Sequence, residues 1–189
     1  REGVARNGIA FGAGTGGLAL AHGLVRARID VQVFERDALR TEGLHGYRVG
    51  IDPDGSRALH ALLPPDLYDT FVATQARAPR WFNMLTEQLH EVLAIELPVE
   101  TDPVESEKSV SRMTLRQVLM TGLEDVIKFG KEFTGFEQHA DGTVTAHFAD
   151  GSSAIGDLLV GADGVGSRVR KQYLPQARQE DTGIIAIAG

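Results

Sequence analysis

Apolar and polar positions divide the chain into strand-sized and helix-sized pieces. Ile9-Ala10-Phe11 is a short apolar run that ends in Gly12-Ala13-Gly14-Thr15-Gly16-Gly17, and Leu18 to Val25 follows with good helix formers. This reads as strand, glycine turn, helix. Val31-Gln32-Val33-Phe34-Glu35 alternates and is β-branched, which predicts a second strand, parallel to the first because a helix separates them. A right-handed βαβ unit results.

The stretch from Leu39 to Gly50 is rich in Gly and Arg and predicts a loop over a ligand. Asp54 to Leu63 predicts a short helix stopped by Pro64-Pro65, with a second helix over Pro65 to Thr74. Two strands are expected between Arg80 and Leu97, with apolar centres at Trp81 to Leu85 and Val92 to Ile95, and they need a partner sheet. Thr101 to Ser109 is acidic and polar, a loop, whereas Met113 to Leu123 has helical spacing at Leu115, Val118, Leu119 and Leu123. Phe129 to Gln138 and Thr143 to Phe148 predict strands, and Ala149-Asp150-Gly151-Ser152 a hairpin turn that Ile155 to Val160 closes. A short helix over Ser167 to Tyr173, a loop over Pro175 to Thr182 and a strand beginning at Ile184 complete the pattern.

Composition narrows the chemistry. The 189 residues suit one good core, one domain with part of a second. A net charge of -7 gives no broad basic field, so nucleic acid and anionic membrane are not expected partners, and no run of 18 apolar residues spans a bilayer. The absence of cysteine excludes disulfides, thiolate nucleophiles and Cys-type metal sites and is compatible with a cytoplasmic origin. The six histidines lack any close ligand spacing, so no metal is expected. The expected partner is a small molecule. Arg1 in place of Met suggests that the start is missing or trimmed, which leaves a removed targeting segment open.

In Gly12-x-Gly14-x-x-Gly17 the first glycine permits the tight turn, the second lets the backbone approach a pyrophosphate, and the third lets helix and strand pack closely. The helix start from Thr15, including Gly16, then offers unpaired N–H groups to phosphate. Alone this pattern is weak, but Glu35 closes the second strand eighteen residues past Gly17, where a carboxylate can bind the ribose hydroxyls of an adenosine. Its charge repels a 2′-phosphate, so the adenosine expected here is that of FAD or NAD.

The order of Gly12 to Gly17, Phe34-Glu35-Arg36-Asp37, Val110-Ser111-Arg112-Met113-Thr114-Leu115, and Asp157 to Arg170 with its Gly161-Ala162-Asp163-Gly164 core resembles the class A flavoprotein monooxygenases, the para-hydroxybenzoate hydroxylase type. The resemblance covers nearly the whole chain, and the Gly-Ala-Asp-Gly motif separates FAD from NAD. It implies an α/β fold: a Rossmann-like FAD-binding domain with a parallel central sheet, in two parts (1–78 and 107–178), interrupted by strands of a β-sheet substrate domain (79–106), with residues 179–189 starting the rest of that domain. It further implies that Glu35 holds the FAD ribose, that Arg112 contacts the cofactor near its phosphate or ribityl region, and that Asp163 with Gly164 supports the region where pyrophosphate and pyridine nucleotide meet. Arg36 and Arg48 are softer candidates. Arg48 either touches the isoalloxazine or incoming nucleotide, or is a solvated loop charge. Arg116, Ser167 and Arg168 are secondary candidates on the same terms.

By the same resemblance, NADH or NADPH reduces FAD, reduced flavin captures O2 as a C4a-hydroperoxide, and the oxygen passes to a small, often aromatic substrate. The cofactor carries that chemistry, so no catalytic side chain is required from these residues. His45, in the loop expected over the flavin, is a candidate base whose plainer reading is a solvated histidine. Two rivals stand. A related flavin-dependent halogenase or dehydrogenase is one, although Trp81, the only tryptophan, lies outside any halogenase pattern. The other is a truncated module that binds nucleotide without turnover, exposes apolar sheet surface and associates with itself. Three departures from the family matter: Arg28 stands where a helix-ending glycine is usual, Asn7-Gly8 weaken the first strand as a central one, and the family's Gly-Asp pair that binds the ribityl chain is absent from these 189 residues.

Overall fold

The computed structural model describes residues 7–42 and 47–184. In chain order the first elements are β1 (Asn7–Phe11), α1 (Thr15–Arg26), β2 (Asp30–Phe34), β3 (Arg48–Ile51), α2 (Pro53–Leu62), α3 (Pro65–Ala73), β4 (Trp81–Leu85) and β5 (Glu91–Glu96). There follow β6 (Lys108–Ser111), α4 (Arg112–Met120), β7 (Ile127–Lys128), β8 (Phe133–Gln138), β9 (Val144–Phe148), β10 (Ser153–Gly156), β11 (Leu158–Gly161) and α5 (Arg168–Tyr173).

Four strands form a parallel sheet in the order β11-β1-β2-β7. The two-residue period of a strand decides which layer each side chain enters. Ala10, Val31 and Val33 face Leu18, Leu59, Phe71, Leu115 and Leu119 of helices α1 to α4. Ile9, Phe11 and Phe34 face the other way, onto Phe133, Val144, Ala146 and Phe148 of the antiparallel sheet β10-β9-β8. Phe11 and Phe133 have ring centroids 4.4 Å apart, and Phe34 and Phe148 4.6 Å, so the second interface is aromatic. The α/β architecture with a parallel central sheet is therefore as the sequence predicts.

Three local expectations are corrected. Asn7-Gly8 do not demote β1: it is the central strand, with Ile9, Ala10 and Phe11 buried. The Asn7 N–H donates to Asp157 Oδ2 and its side-chain amide to the Ile155 carbonyl, so Asn7 serves as a clasp between neighbouring strands. The run Ile155 to Val160 is not one strand. It splits at Asp157 into β10, which closes the hairpin, and β11, which joins the parallel sheet beside β1. Residues 48–50 and 108–109, read as ends of the loops 39–50 and 101–109, belong to strands that pair antiparallel, β3 and β6. Finally, the two-residue β7 was too short to show a period.

Helix α1 ends in a left-handed turn at Arg28 (φ 57°). Arg28 N–H donates to Val25 O and Ile29 N–H to Leu24 O, both at 2.9 Å, the paired bonds of a Schellman cap. The helix thus ends as in a glycine-capped relative, with an arginine bearing the strain.

Among the described residues, strands β4 and β5 pair only with each other, antiparallel, and all their residues are exposed. The loop histidine His45 and all but the first residue of the expected strand Ile184–Ile187 lie outside the described residues.

Candidate cofactor-binding site

The turn between β1 and α1 is built around two close approaches. Gly12 has φ 101°, and a Cβ there would stand 2.4 Å from the Ala162 carbonyl oxygen. A Cβ on Gly17 would stand 2.1 Å from the Gly12 oxygen. Neither position accepts a side chain without moving backbone. Gly14, in contrast, faces open space, with nothing within 4 Å of an added Cβ. Helix α1 starts there with no side-chain cap and no acidic residue in its first turn. Its first amides and the positive end of its dipole are thus left to an anion from outside the chain.

Glu35 follows β2 directly and is buried beside this turn. Its Oε2 accepts the Ala13 N–H at 2.7 Å and its Oε1 the Asp37 N–H at 3.1 Å. A carboxylate has about four acceptor positions. Two remain for hydroxyl groups. The carboxyl end of β11 lies beside that of β1, with Phe11 opposite Gly161 and Ala162 N–H bonded to Phe11 O. Asp163 therefore stands on the same rim of the sheet as Glu35 and the glycine turn. Its carboxylate accepts the Ser167 hydroxyl at 2.6 Å and the Arg168 N–H at 2.7 Å. Ser167 in turn accepts the Arg170 N–H and caps α5, so Asp163 both orders its own loop and faces the cavity.

These groups enclose a cavity of about 500 Å³, within the ~300–1,000 Å³ usual for small-molecule sites. Gly12, Gly14, Thr15, Glu35, Arg36, Arg112, Asp163 and Gly164 line it. Gly17 lies behind the turn as a packing position, Gly16 is in the first turn of α1 but off the lining, and Arg48 is on β3. The Arg48 guanidinium donates to Ser109 O at 3.4 Å and lies 5.1 Å from the Tyr47 ring centroid.

Five cations line the cavity, and their partners distinguish them. Arg168 pairs with Glu132 at 2.6 Å, Lys131 with Asp150 at 2.5 Å, and Arg116 with Glu35 and Asp37. Lys131 and the Ser152 bonds together hold the Asp150 carboxyl far below the usual carboxylate range. Among the described residues the guanidinium groups of Arg36 and Arg112 have no carboxylate partner. Two free guanidinium groups match the two charges of a diphosphate.

The residues fit a dinucleotide: uncapped amides beside open space, a buried carboxylate with acceptor positions left and, among the described residues, two cations without carboxylate partners on one rim. Asp37, Lys131, Glu132 and Phe133 also line the cavity, although the sequence reading did not single them out. Asp37 was within reach as part of the Phe34–Asp37 motif. Lys131 was not, because it is brought in by β7, whose end bonds to β2 through Glu35 N–H to Lys128 O and Lys131 N–H to Glu35 O. Among the described residues no cluster of His, Asp or Glu is arranged to hold a metal ion, and no helix is long and apolar enough to cross a membrane.

Comparison with known proteins agrees with this geometry. The chain is 38% identical over 183 residues to the dual O-methyltransferase/FAD-dependent monooxygenase CTB3 of Cercospora beticola, covering 94% of this chain and 21% of that protein. It is 37% identical over 175 residues to the FAD-dependent urate hydroxylase of Klebsiella pneumoniae, covering 90% and 44%. A structure from Photorhabdus luminescens described as an FAD containing monooxygenase superposes with a TM-score of 0.79 at 34% identity, over 90% of this chain and 42% of that one. Klebsiella pneumoniae HpxO complexed with FAD and uric acid gives 0.73 at 28%, over 88% and 41%. The chain thus spans between a fifth and less than half of the relatives it matches. The profile of the FAD binding domain family matches residues 9–187, and the chain belongs to that family.

Proposed function

We propose that this chain is the FAD-holding part of a monooxygenase that uses NADH or NADPH and O2 to hydroxylate a small, aromatic substrate. The single observation that carries the reading is the common rim: the glycine turn, Glu35, Arg36, Arg112 and Asp163 all face one cavity at the carboxyl ends of β1, β2 and β11. That rim is where open α/β sheets bind ligands. In this reading the amides of Gly14, Thr15 and Gly16 and the guanidinium groups of Arg36 and Arg112 hold the pyrophosphate, and Glu35 takes the adenosine ribose hydroxyls. Asp163 and Gly164 orient the segment that meets the rest of the cofactor. Arg48, one strand away, is kept for the flavin side.

When bound, FAD supplies the electron transfer and oxygen activation. The chain's own residues bind it, orient it and exclude water from one of its faces. The urate hydroxylase among the relatives supports a planar, electron-rich substrate class. The β4–β5 hairpin is assigned to the substrate-domain sheet, and a cytoplasmic setting is retained from the absence of cysteine. The second reading, a nucleotide-binding module without turnover, is favoured by the fully exposed hairpin.

The test is to purify the chain, add FAD, and follow flavin absorbance and NAD(P)H oxidation with and without aromatic substrates. Bound flavin with substrate-dependent NAD(P)H consumption supports the hydroxylase. Bound flavin without consumption supports the module, and a protein that neither carries nor takes up FAD overturns both.

A further inference from the structure

Helix α4 carries two arginines one turn apart, and they are held differently. Arg112 is exposed to the cavity and has no carboxylate partner among the described residues, whereas the Arg116 side chain is only 12% exposed. The Arg116 guanidinium spends every nitrogen on the ligand-binding rim. Nε donates to the Ala13 carbonyl at 3.0 Å, inside the glycine turn, and NH1 donates to the Glu42 carbonyl at 2.7 Å. NH2 sits between two carboxylates, 3.4 Å from Asp37 Oδ2 and 3.5 Å from Glu35 Oε2. One side chain therefore ties α4 to the glycine turn, to the end of β2 and to the loop that follows it.

Two features separate this from ordinary packing. Glu35 and Asp37 both approach one nitrogen, so without Arg116 two largely buried carboxylates would face each other with nothing between them. Moreover, the hydrogen bonds that fix Glu35 come from the Ala13 and Asp37 amides. Arg116 adds charge at 3.5 Å, a separation at which it takes up none of the acceptor positions left for a ligand. We infer that Arg116 is a positioning residue for ribose recognition: it holds Glu35 aimed and in register with the glycine turn, so that the carboxylate can read the adenosine hydroxyls. The inference rests on the reading of this cavity as the adenosine end of the FAD site.

The experiment measures equilibrium binding of ADP, 2′-deoxy-ADP and FAD to the purified chain and to R116M, R116K, E35A and E35A/R116M. The wild-type chain is expected to prefer ADP over its 2′-deoxy analogue about tenfold, the size of one hydrogen bond to a charged group. In R116M, ADP and FAD weaken by the same factor, about tenfold, and the ribose preference falls below about threefold. R116K keeps the charge but not the three-armed fork, so it recovers only part of the preference. In the E35A background, R116M costs less than about threefold, because the residue through which it acts is gone.

A folded R116M that keeps the wild-type preference overturns the inference, whatever its melting temperature, and so do single-variant losses that multiply in the double variant. Should R116M not fold, R116K carries the test, and an unchanged preference there overturns it equally. A wild-type chain that binds neither ADP nor FAD overturns the cofactor reading itself, which is distinguishable from binding that is insensitive to Arg116.

Discussion

Strands β1 and β4 are both five residues long, and each carries a phenylalanine within an apolar run, yet Phe11 is 1% exposed and Phe82 52%. Strand β1 has a hydrogen-bonded neighbour on each side, helices over one face and an aromatic sheet over the other. Strand β4 has only β5, and Trp81, Met84, Leu85, Val92, Leu93 and Ile95 stay exposed with Phe82. Apolar sequence alone does not bury a strand. Burial needs a second layer, and among the described residues the hairpin has none.

The contrast can be broken or sharpened by substitution. The largest effect is expected at the buried end: Phe11→Ala empties a site shared with Phe34, Phe133 and Phe148 and should cost about 3–5 kcal/mol in a denaturant titration. Gly17→Ala should follow at about 3 kcal/mol or more, since its methyl would collide with the Gly12 backbone, and FAD binding should fall with it. In the opposite direction, Arg28→Gly removes left-handed strain and should raise stability by about 1 kcal/mol, roughly 2–4 °C in melting temperature.

A smaller effect is expected from pH. Burial lowers the His22 pKa, against the raising influence of its 2.9 Å bond to the Leu119 carbonyl and of Glu124. The unfolded chain then binds the proton more readily, so His22 gives its full stability above about pH 6.5 and loses it as pH falls from there towards the folded-state pKa. His22→Gln should flatten that part of the melting profile by less than the Arg28 change. Phe82→Ala should be smallest, within about 0.5 kcal/mol, while reducing any concentration-dependent association seen by sedimentation. A loss of several kcal/mol there would mean that the hairpin is packed after all.

The buried lysine extends the lesson to a polar group. Lys108 is 1% exposed and its ammonium donates to Ser56 Oγ and Ser106 O, both at 2.8 Å, and to Pro103 O, with no carboxylate in contact among the described residues. Burial lowers its pKa, only partly offset by the charge of Asp102. Its cost is borne by neutral acceptors from α2 and the loop before β6.

Much of the fold was legible from local pattern. The glycine turn, α1 and β2 follow from spacing alone, and α2, α3, α4 and the β8–β9 pair from periodicity and proline placement. The site was legible to a similar extent, because Gly12, Gly14, Thr15 and Glu35 are close in sequence to the turn they serve. Strands β3, β6 and β7 were missed because they are two to four residues long and owe their existence to a partner far along the chain. The split at Asp157 escaped for the same reason: the apolar run is continuous, and only the clasp to Asn7 turns it from one sheet into another.

The order of residues by itself determined a glycine turn between β1 and α1, an acid at the end of β2 and the family to which the chain belongs, because close backbone approach demands glycine and the motifs stand at fixed spacings. Only the tertiary structure decided which cations are free. The sequence does not say which of Arg36, Arg112, Arg116, Lys131 and Arg168 is paired, but among the described residues three of them find carboxylates at the ends of strands or in turns and two do not. Pairing is a matter of distance between segments, and distance is set by the sheet that brings β1, β2, β7 and β11 side by side.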